Sequence, residues 1–168
     1  MDPNIFAGLI IAAPVAALTL LRANAATAFL ALCLGSVLGT YVSLDLVDAL
    51  RGYIAPPTEV TNVIAGLVLL WGPVLLVAIF MMKTVAKKQI WLNIIPAVFV
   101  GLFGLLLTVP FLDGATKSEI VRSDVWRMVE GHKALIVGVG TLCSFLFLRM
   151  RKKADDSKGK TPLTFFVK

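Results

Sequence analysis

The sequence predicts an all-α membrane protein with five transmembrane helices, and three observations lead to that prediction. Hydrophobic residues fill 58% of the 168 positions and charged residues only 15%, with a mean hydropathy of +0.90. Soluble domains carry about 25% charged residues, and a chain this short could not bury so much apolar surface in water. Five long apolar segments also lack Asp, Glu, Lys, Arg and His altogether. Lipid is therefore the expected solvent for most of the chain.

The five predicted spans follow from the length that a helix needs to cross a bilayer. A hydrocarbon core about 30 Å thick requires about 20 apolar residues. Continuous apolarity favours helices over barrel strands, in which apolar and polar residues alternate. The segments that fit are residues 5–21, 25–42, 60–82, 90–111 and 134–148. We place all five in one domain, residues 1–153, followed by a polar cytoplasmic tail, residues 154–168.

The first span has an alternative interpretation as a cleaved signal peptide. Ala23-Asn24-Ala25 resembles a cleavage site. However, the segment before the span carries Asp2 and no basic residue, and the apolar run is longer than the usual signal. We therefore favour a retained span.

The distribution of charge predicts the orientation. With the N-terminus outside, the inner segments (22–24, 83–89 and 149–168) sum to +9 and the outer segments to −3. Because cytoplasmic loops are enriched in Lys and Arg, we expect an N-out, C-in topology. The cations flank apolar runs, which favours anionic lipid headgroups as partners and argues against nucleic acid. The main cytoplasmic cations are Lys83, Lys87, Lys88, Arg151, Lys152 and Lys153.

Two segments on the predicted outer side are amphipathic. Residues 43–52, SLDLVDALRG, separate apolar from charged side chains and end at a glycine suited to a helix C-cap. Residues 116–131 open with Thr116 and Glu119 in capping-box spacing and continue with alternating apolar and charged groups. Both segments predict short helices. They either lie on the outer membrane surface or pack over the bundle, and amphipathicity alone leaves both possibilities open.

Small residues recur at helical spacing on the first two spans. They are Gly8, Ala12 and Ala16 on the first, and Ala28, Ala31, Gly35 and Gly39 on the second. Small side chains let helix backbones approach closely in lipid. We favour packing within the chain, with the two strips facing each other, over an oligomer contact.

Proline and glycine predict kinks in two spans. Gly72 and Pro73 follow Trp71 near the middle of the third span, and Pro96 lies in the fourth. Proline removes a helix hydrogen bond and bends the helix. A packed kink is favoured over a broken, substrate-binding helix, because transporters of that kind carry paired breaks in two related halves.

The sequence carries no motif for a reaction. It has no HExxH, phosphate-binding loop or nucleophile triad, so we expect no enzyme activity, cofactor or metal site. Cys33 and Cys143 fit small packing residues, and His132 near Glu130 fits a solvated surface pair. The spans also lack the ionisable residue that ion-coupled transporters and proton channels commonly hold in the membrane.

The layout of residues 1–130 resembles the colicin V production protein family of small bacterial inner-membrane proteins. The similarity lies in the basic junction LLRANAA, the outer stretch SLDLVDALRGYIAPP, a later span with Gly101 and Gly104, and the segment LDGATKSEIVRSDVWRMV. The family's Arg-Gly junction is reduced here to Arg22, and a fifth span and basic tail are added. The resemblance implies an inner-membrane protein linked to secretion or envelope homeostasis, and no functional residues carry over.

Two functions remain in competition at this level. The first is a membrane scaffold or accessory subunit, assembled as a homo-oligomer or within a complex, and it requires a dry, closely packed interior. The second is a small oligomeric channel or transporter for an uncharged solute, and it requires a polar cavity. The hydroxyls available to line such a cavity belong to Thr27, Ser36, Thr40, Thr108, Thr141 and Ser144.

Overall fold

All regular elements in the part of the chain that the structure describes are helices, which confirms the all-α class. The computed structural model describes residues 3–42, 45–46, 48, 59–85, 90–112 and 114–158. The helices are α1 (Pro3–Leu20), α2 (Ala25–Tyr41), α3 (Glu59–Phe80), α4 (Ile90–Thr108), α5 (Gly114–Val121), α6 (Asp124–Gly131) and α7 (Lys133–Lys158). A single 3-10 turn, Val109–Phe111, joins α4 to α5.

Three of the described helices are long and apolar enough to cross a membrane. Their apolar windows are Val63–Phe80, Ile90–Phe111 and Lys133–Met150. Two further apolar helices, Asn4–Leu20 and Ala25–Tyr41, are shorter. Each predicted span therefore coincides with an apolar helix, and three of these helices have spanning length.

Helices α2 and α4 lie at the centre of the bundle. Helix α2 packs most extensively along α3 and also contacts α4 and α7, whereas α1 packs along α4. The expected pairing of the small-residue strips on α1 and α2 is not observed. Ala12 and Ala16 are exposed, and Ala7 and Leu18 are the buried residues of α1. A short loop thus joins two helices that both contact α4 but do not pack extensively on each other.

The core of the bundle consists mainly of small side chains around a few aromatic rings. Phe29 is fully buried, and its ring lies 5.6 Å from that of Phe103 on α4. By contrast, large apolar side chains cover the outside, including Leu20, Phe80 and Trp91, each more than 80% exposed. Apolar surface on this scale would be unfavourable in water and is favourable in lipid.

The second amphipathic segment packs over the bundle, the second of its two predicted placements. Ile120 on α5 and Trp126 and Val129 on α6 are buried, and both helices contact α1. The predicted capping box is wrong, because α5 begins at Gly114 and places Thr116 inside the helix. The observed cap is Ser123, whose hydroxyl accepts from the Trp126 N–H and starts α6. The first amphipathic segment, residues 43–52, lies mostly outside the described residues.

The helices continue through their prolines. Helix α3 runs through Gly72 and Pro73 without interruption, and α4 runs through the buried Pro96. Helix α7 extends to Lys158, beyond the predicted end of the fifth span at Leu148. The beginning of the predicted tail is therefore helical.

Candidate functional site: the loop junction and the helix contacts

The α1–α2 and α3–α4 loops are hydrogen-bonded to each other at one end of the bundle. The Lys83 N–H donates to the Leu21 carbonyl at 3.1 Å, and the Val85 N–H donates to the Arg22 carbonyl at 3.1 Å. Two backbone bonds thus run side by side between segments far apart in sequence. We call this contact, formed by residues 21–24 and 81–85, the loop junction.

The Arg22 side chain adds a third bond between the same loops. Its Nη2 donates to the carbonyl of Val85 at 2.9 Å, and Val85 is almost fully buried. The Arg22 Nε is also buried, with no hydrogen-bond partner among the described residues. The guanidinium is therefore partly desolvated and only partly satisfied.

Arg22 and Lys83 both adopt left-handed backbone conformations. Their φ angles are 52° and 61°, and no other non-glycine residue in the described ranges has a positive φ. Side chains other than glycine disfavour this region by about 1–2 kcal/mol. The tight turns of the loop junction therefore place strain on two cationic residues.

Two asparagines anchor the start of α2 beside the loop junction. The Asn24 side chain accepts from the Ala26 N–H at 3.1 Å and caps the helix. Asn93, on α4, accepts from the Ala25 N–H at 2.9 Å and donates to the Ala23 carbonyl at 2.8 Å. Both side chains are buried. Asn93 thus links α4 to the α1–α2 loop and to the first residue of α2.

Two glycines allow helix backbones to touch. Gly35 on α2 lies against the carbonyl oxygen of Leu70 on α3. A Cβ added to Gly101 on α4 would lie 2.6 Å from the carbonyl oxygen of Ile11 on α1. The major helix contacts, α2 with α3 and α1 with α4, thus depend on the absence of a side chain.

Three further glycines make room for aromatic rings. A Cβ added at Gly104 would lie 2.8 Å from the Trp71 ring, and one added at Gly140 would lie 2.6 Å from the Phe29 ring. A Cβ added at Gly66 would overlap the Phe111 ring. Gly66 and Gly140 were missed by sequence reasoning, because neither belongs to a small-residue repeat and the matching ring is distant in sequence. No feature of the sequence around Gly66 or Gly140 predicts these contacts.

The remaining predicted positions differ in their surroundings, for both the small-residue strips and the kink at Gly72. Gly8, Gly39 and Gly72 have no atoms of another element within 4 Å of an added Cβ. Ala28 and Ala31 are buried on α2. Lys87 and Lys88 lie outside the described residues, and for Arg151, Lys152 and Lys153 the structure describes only the helical backbone.

The candidate cavity-lining hydroxyls mostly turn back onto their own helices. Thr27 donates to the Asn24 carbonyl, Ser36 to Cys33, Thr40 to Ser36 and Thr141 to Val137. Thr108 accepts from the Trp71 Nε1 at 3.2 Å. Ser144 is fully buried, and its Oγ has no partner among the described residues. These six groups do not converge on one polar cavity.

Two cavities border α3. An open apolar groove of about 480 Å³ runs along it, with Trp71 and Thr108 at its edge. A smaller cavity of about 180 Å³ is lined in part by Ser36, Thr40 and Phe111. The residues that line the larger groove are Ile64, Leu67, Val68, Trp71, Gly72, Leu75 and Thr108.

The remaining reactive side chains lie apart from one another. Cys33 and Cys143 are free and half-buried. His132 ends α6, and its Nδ1 lies 2.8 Å from the Met128 carbonyl. No three His, Cys, Asp or Glu side chains in the described part of the chain are grouped as metal ligands would be.

No protein-family model matches the sequence, and neither a curated protein nor a solved structure is significantly similar to it. The resemblance to the colicin V production proteins therefore stays a prediction.

Proposed function

We propose that the protein is a membrane scaffold or accessory subunit that binds other membrane components through its exposed apolar helix faces. The observation that carries this proposal is the occupied interior. Backbone atoms or aromatic rings fill the space beside glycines on four helices. Five of the six candidate pore hydroxyls form hydrogen bonds with neighbouring groups. A dry, closely packed interior suits a protein that binds partners through its outer surface rather than one that conducts a solute through its interior.

The proposal includes five spans with the N-terminus outside and the C-terminus in the cytoplasm. Helices α1 and α2 are short, but they pack along α4 and α3, which have spanning length. At about 1.5 Å per residue, 17 residues reach about 26 Å, close to the hydrocarbon thickness. The charge difference between the two sides supports the orientation. The layout of the first four spans supports placement in a bacterial inner membrane.

The groove on α3 is the proposed binding surface. Ile64, Val68 and Leu75 are each more than half exposed there, and Gly72 leaves the helix surface open. A second apolar helix could approach this face closely. The proposed partner is a membrane helix, either from a second copy or from another subunit.

The experiment is a mass measurement on the full chain in a mild detergent and in lipid nanodiscs. The scaffold proposal predicts a species well above the 18.1 kDa of one chain, either an oligomer or a complex with a co-purifying membrane protein. Gly72→Leu should fill the groove and reduce the assembled fraction. Gly138→Leu is the matched control, since Gly138 on α7 also faces open space. A lone monomer in both media would count against the proposal.

A small channel or transporter for an uncharged solute is the second candidate. The smaller cavity favours it, because Ser36 and Thr40 contribute polar atoms there. Solute-driven swelling of proteoliposomes tests this function directly. Uptake that the paired changes Ser36→Val and Thr40→Val abolish, with the fold intact, would favour transport over scaffolding.

A further inference from the structure

Two cationic residues, Arg22 and Lys83, belong to the hydrogen-bonded loop junction, and the adjoining segments carry no acidic residue. The Lys83 N–H bonds to the carbonyl of Leu21, the residue before Arg22, so the backbones of Arg22 and Lys83 are close neighbours. Residues 16–27 and 76–98 contain no Asp or Glu. Like charges at short distance repel each other unless an anion compensates them.

Both cationic residues occupy strained, left-handed backbone positions. Glycine would adopt a φ of 52° or 61° without strain. The chain instead carries its two strained residues as Arg and Lys, at the same contact. Strained residues of this kind cluster at ligand-binding sites.

Arg22 also has binding capacity left over. A guanidinium has five N–H donors, and the bond to the Val85 carbonyl uses one of them, on Nη2. The Nε atom is shielded from solvent, so a ligand would bind through the Nη atoms of the half-buried Arg22 and through the exposed Lys83. A guanidinium beside an ammonium is suited to a phosphate oxyanion, which accepts several charge-assisted hydrogen bonds.

We propose that Arg22 and Lys83 form a binding site for a phosphate group, supplied by the headgroup of an anionic phospholipid. An exposed tryptophan beside the junction favours a lipid over a soluble phosphate. Trp91, the second residue of α4, is 81% exposed, and tryptophan side chains are enriched at the headgroup level of membranes. The proposal does not depend on the scaffold function, since a transporter could hold the same lipid.

The test is native mass spectrometry of the full chain, titrated with phosphatidylglycerol or phosphatidylcholine of equal chain length. The wild-type protein should bind phosphatidylglycerol more tightly. Lys83→Gln should weaken this binding about tenfold, through the loss of a charge-assisted hydrogen bond worth about 1.5 kcal/mol. This change retains the backbone hydrogen bond of Lys83, so the loop junction should stay folded. Arg22→Gln should weaken binding at least as much.

Arg149→Gln is the matched control. It removes one charge from an exposed residue near the same predicted membrane surface but on α7, away from the loop junction. Equal losses for Lys83→Gln and Arg149→Gln, or equal binding of the two lipids, would overturn the proposal.

A second arm separates the two sources of phosphate. Inorganic phosphate is added during thermal unfolding in detergent without anionic lipid. Protection that depends on Lys83 would keep the phosphate site but identify a soluble anion as its ligand. Lysine-dependent binding of phosphatidylglycerol without such protection would identify the lipid headgroup. If neither effect is observed, the phosphate site itself is ruled out.

Discussion

Gly35 on α2 and Leu70 on α3 meet backbone to backbone, with the Leu70 carbonyl oxygen occupying the space that a side chain at position 35 would need. This single contact sets how closely the two most extensively packed helices approach. Gly39, one turn further along α2, has no atom of another element nearby. The GxxxG pair in the sequence is therefore asymmetric in the structure.

The first prediction uses that asymmetry. Gly35→Ala should destabilise the protein by about 1–3 kcal/mol, because the clash is with a backbone carbonyl and the helices must separate to relieve it. Gly39→Ala should be neutral or stabilising by up to about 1 kcal/mol, the difference in helix propensity. Thermal unfolding of both variants in one detergent makes the comparison. Equal destabilisation would contradict the contact.

The second prediction concerns a second pair of glycines, both on α7. Gly140→Ala would bring a methyl group against the ring of the fully buried Phe29, at 2.6 Å. We expect a loss of about 1–3 kcal/mol from overpacking. Gly138→Ala meets open space and serves as the control. Combining Gly140→Ala with Phe29→Leu should recover part of the lost stability if the ring is the obstacle. Failure to recover any would place the clash elsewhere.

The third prediction concerns the asparagine that joins α4 to the α1–α2 loop. Asn93→Leu removes a donor and an acceptor and leaves the Ala25 N–H and the Ala23 carbonyl without their bonds. Each unsatisfied buried group costs about 1–3 kcal/mol, so we expect a large loss of stability. Thr40→Val removes only a hydroxyl that bonds within its own helix at an exposed position, and it should change stability little. Unfolding by denaturant in mixed micelles would measure both changes.

The fourth prediction tests the proposed topology by cysteine labelling. Cys33 and Cys143 are first replaced by alanine, and single cysteines are then placed at Lys133 or Lys83. A membrane-impermeant thiol reagent applied to intact cells should label the first and not the second. The reverse result would invert the bundle in the membrane. Labelling of both positions would rule out the proposed number of spans.

The fifth prediction concerns the basic end of α7. Changing Arg151, Lys152 and Lys153 to glutamine should weaken the orientation or lipid binding more than the fold, because these residues lie beyond the apolar window that ends at Met150. The same labelling assay, applied to this triple variant, measures the orientation. Unchanged accessibility at both ends would argue against a role for these charges.

The helices themselves could be predicted because apolar length and the absence of charge are local properties. The run that begins at residue 90 becomes α4, and its predicted end at residue 111 matches the end of the 3-10 turn. The outer amphipathic helices were less predictable. The alternation around Trp126 is equally suited to a membrane surface and to a protein surface, and only the tertiary contacts select the second.

The helix partners could not be predicted, for a physical reason. A strip of small residues shows that a helix can be approached closely but not by which neighbour. The small-residue strips predicted that α1 pairs with α2, yet α1 packs on α4, where Gly101 admits the backbone of Ile11. The role of Arg22 was likewise hidden, because its bond to Val85 joins residues 63 positions apart.

The distance in sequence between Arg22 and Val85 also determines when their hydrogen bond can form during synthesis of the chain. Chains emerge from the ribosome N-terminal end first, so α1 and α2 are synthesised before the residues that complete the turn between them. Until Lys83 and Val85 have been made, the strained turn at Arg22 lacks the hydrogen bonds that these residues supply. The hydrogen bonds between the two loops therefore form late in assembly. A chain truncated before Lys83 would lack them.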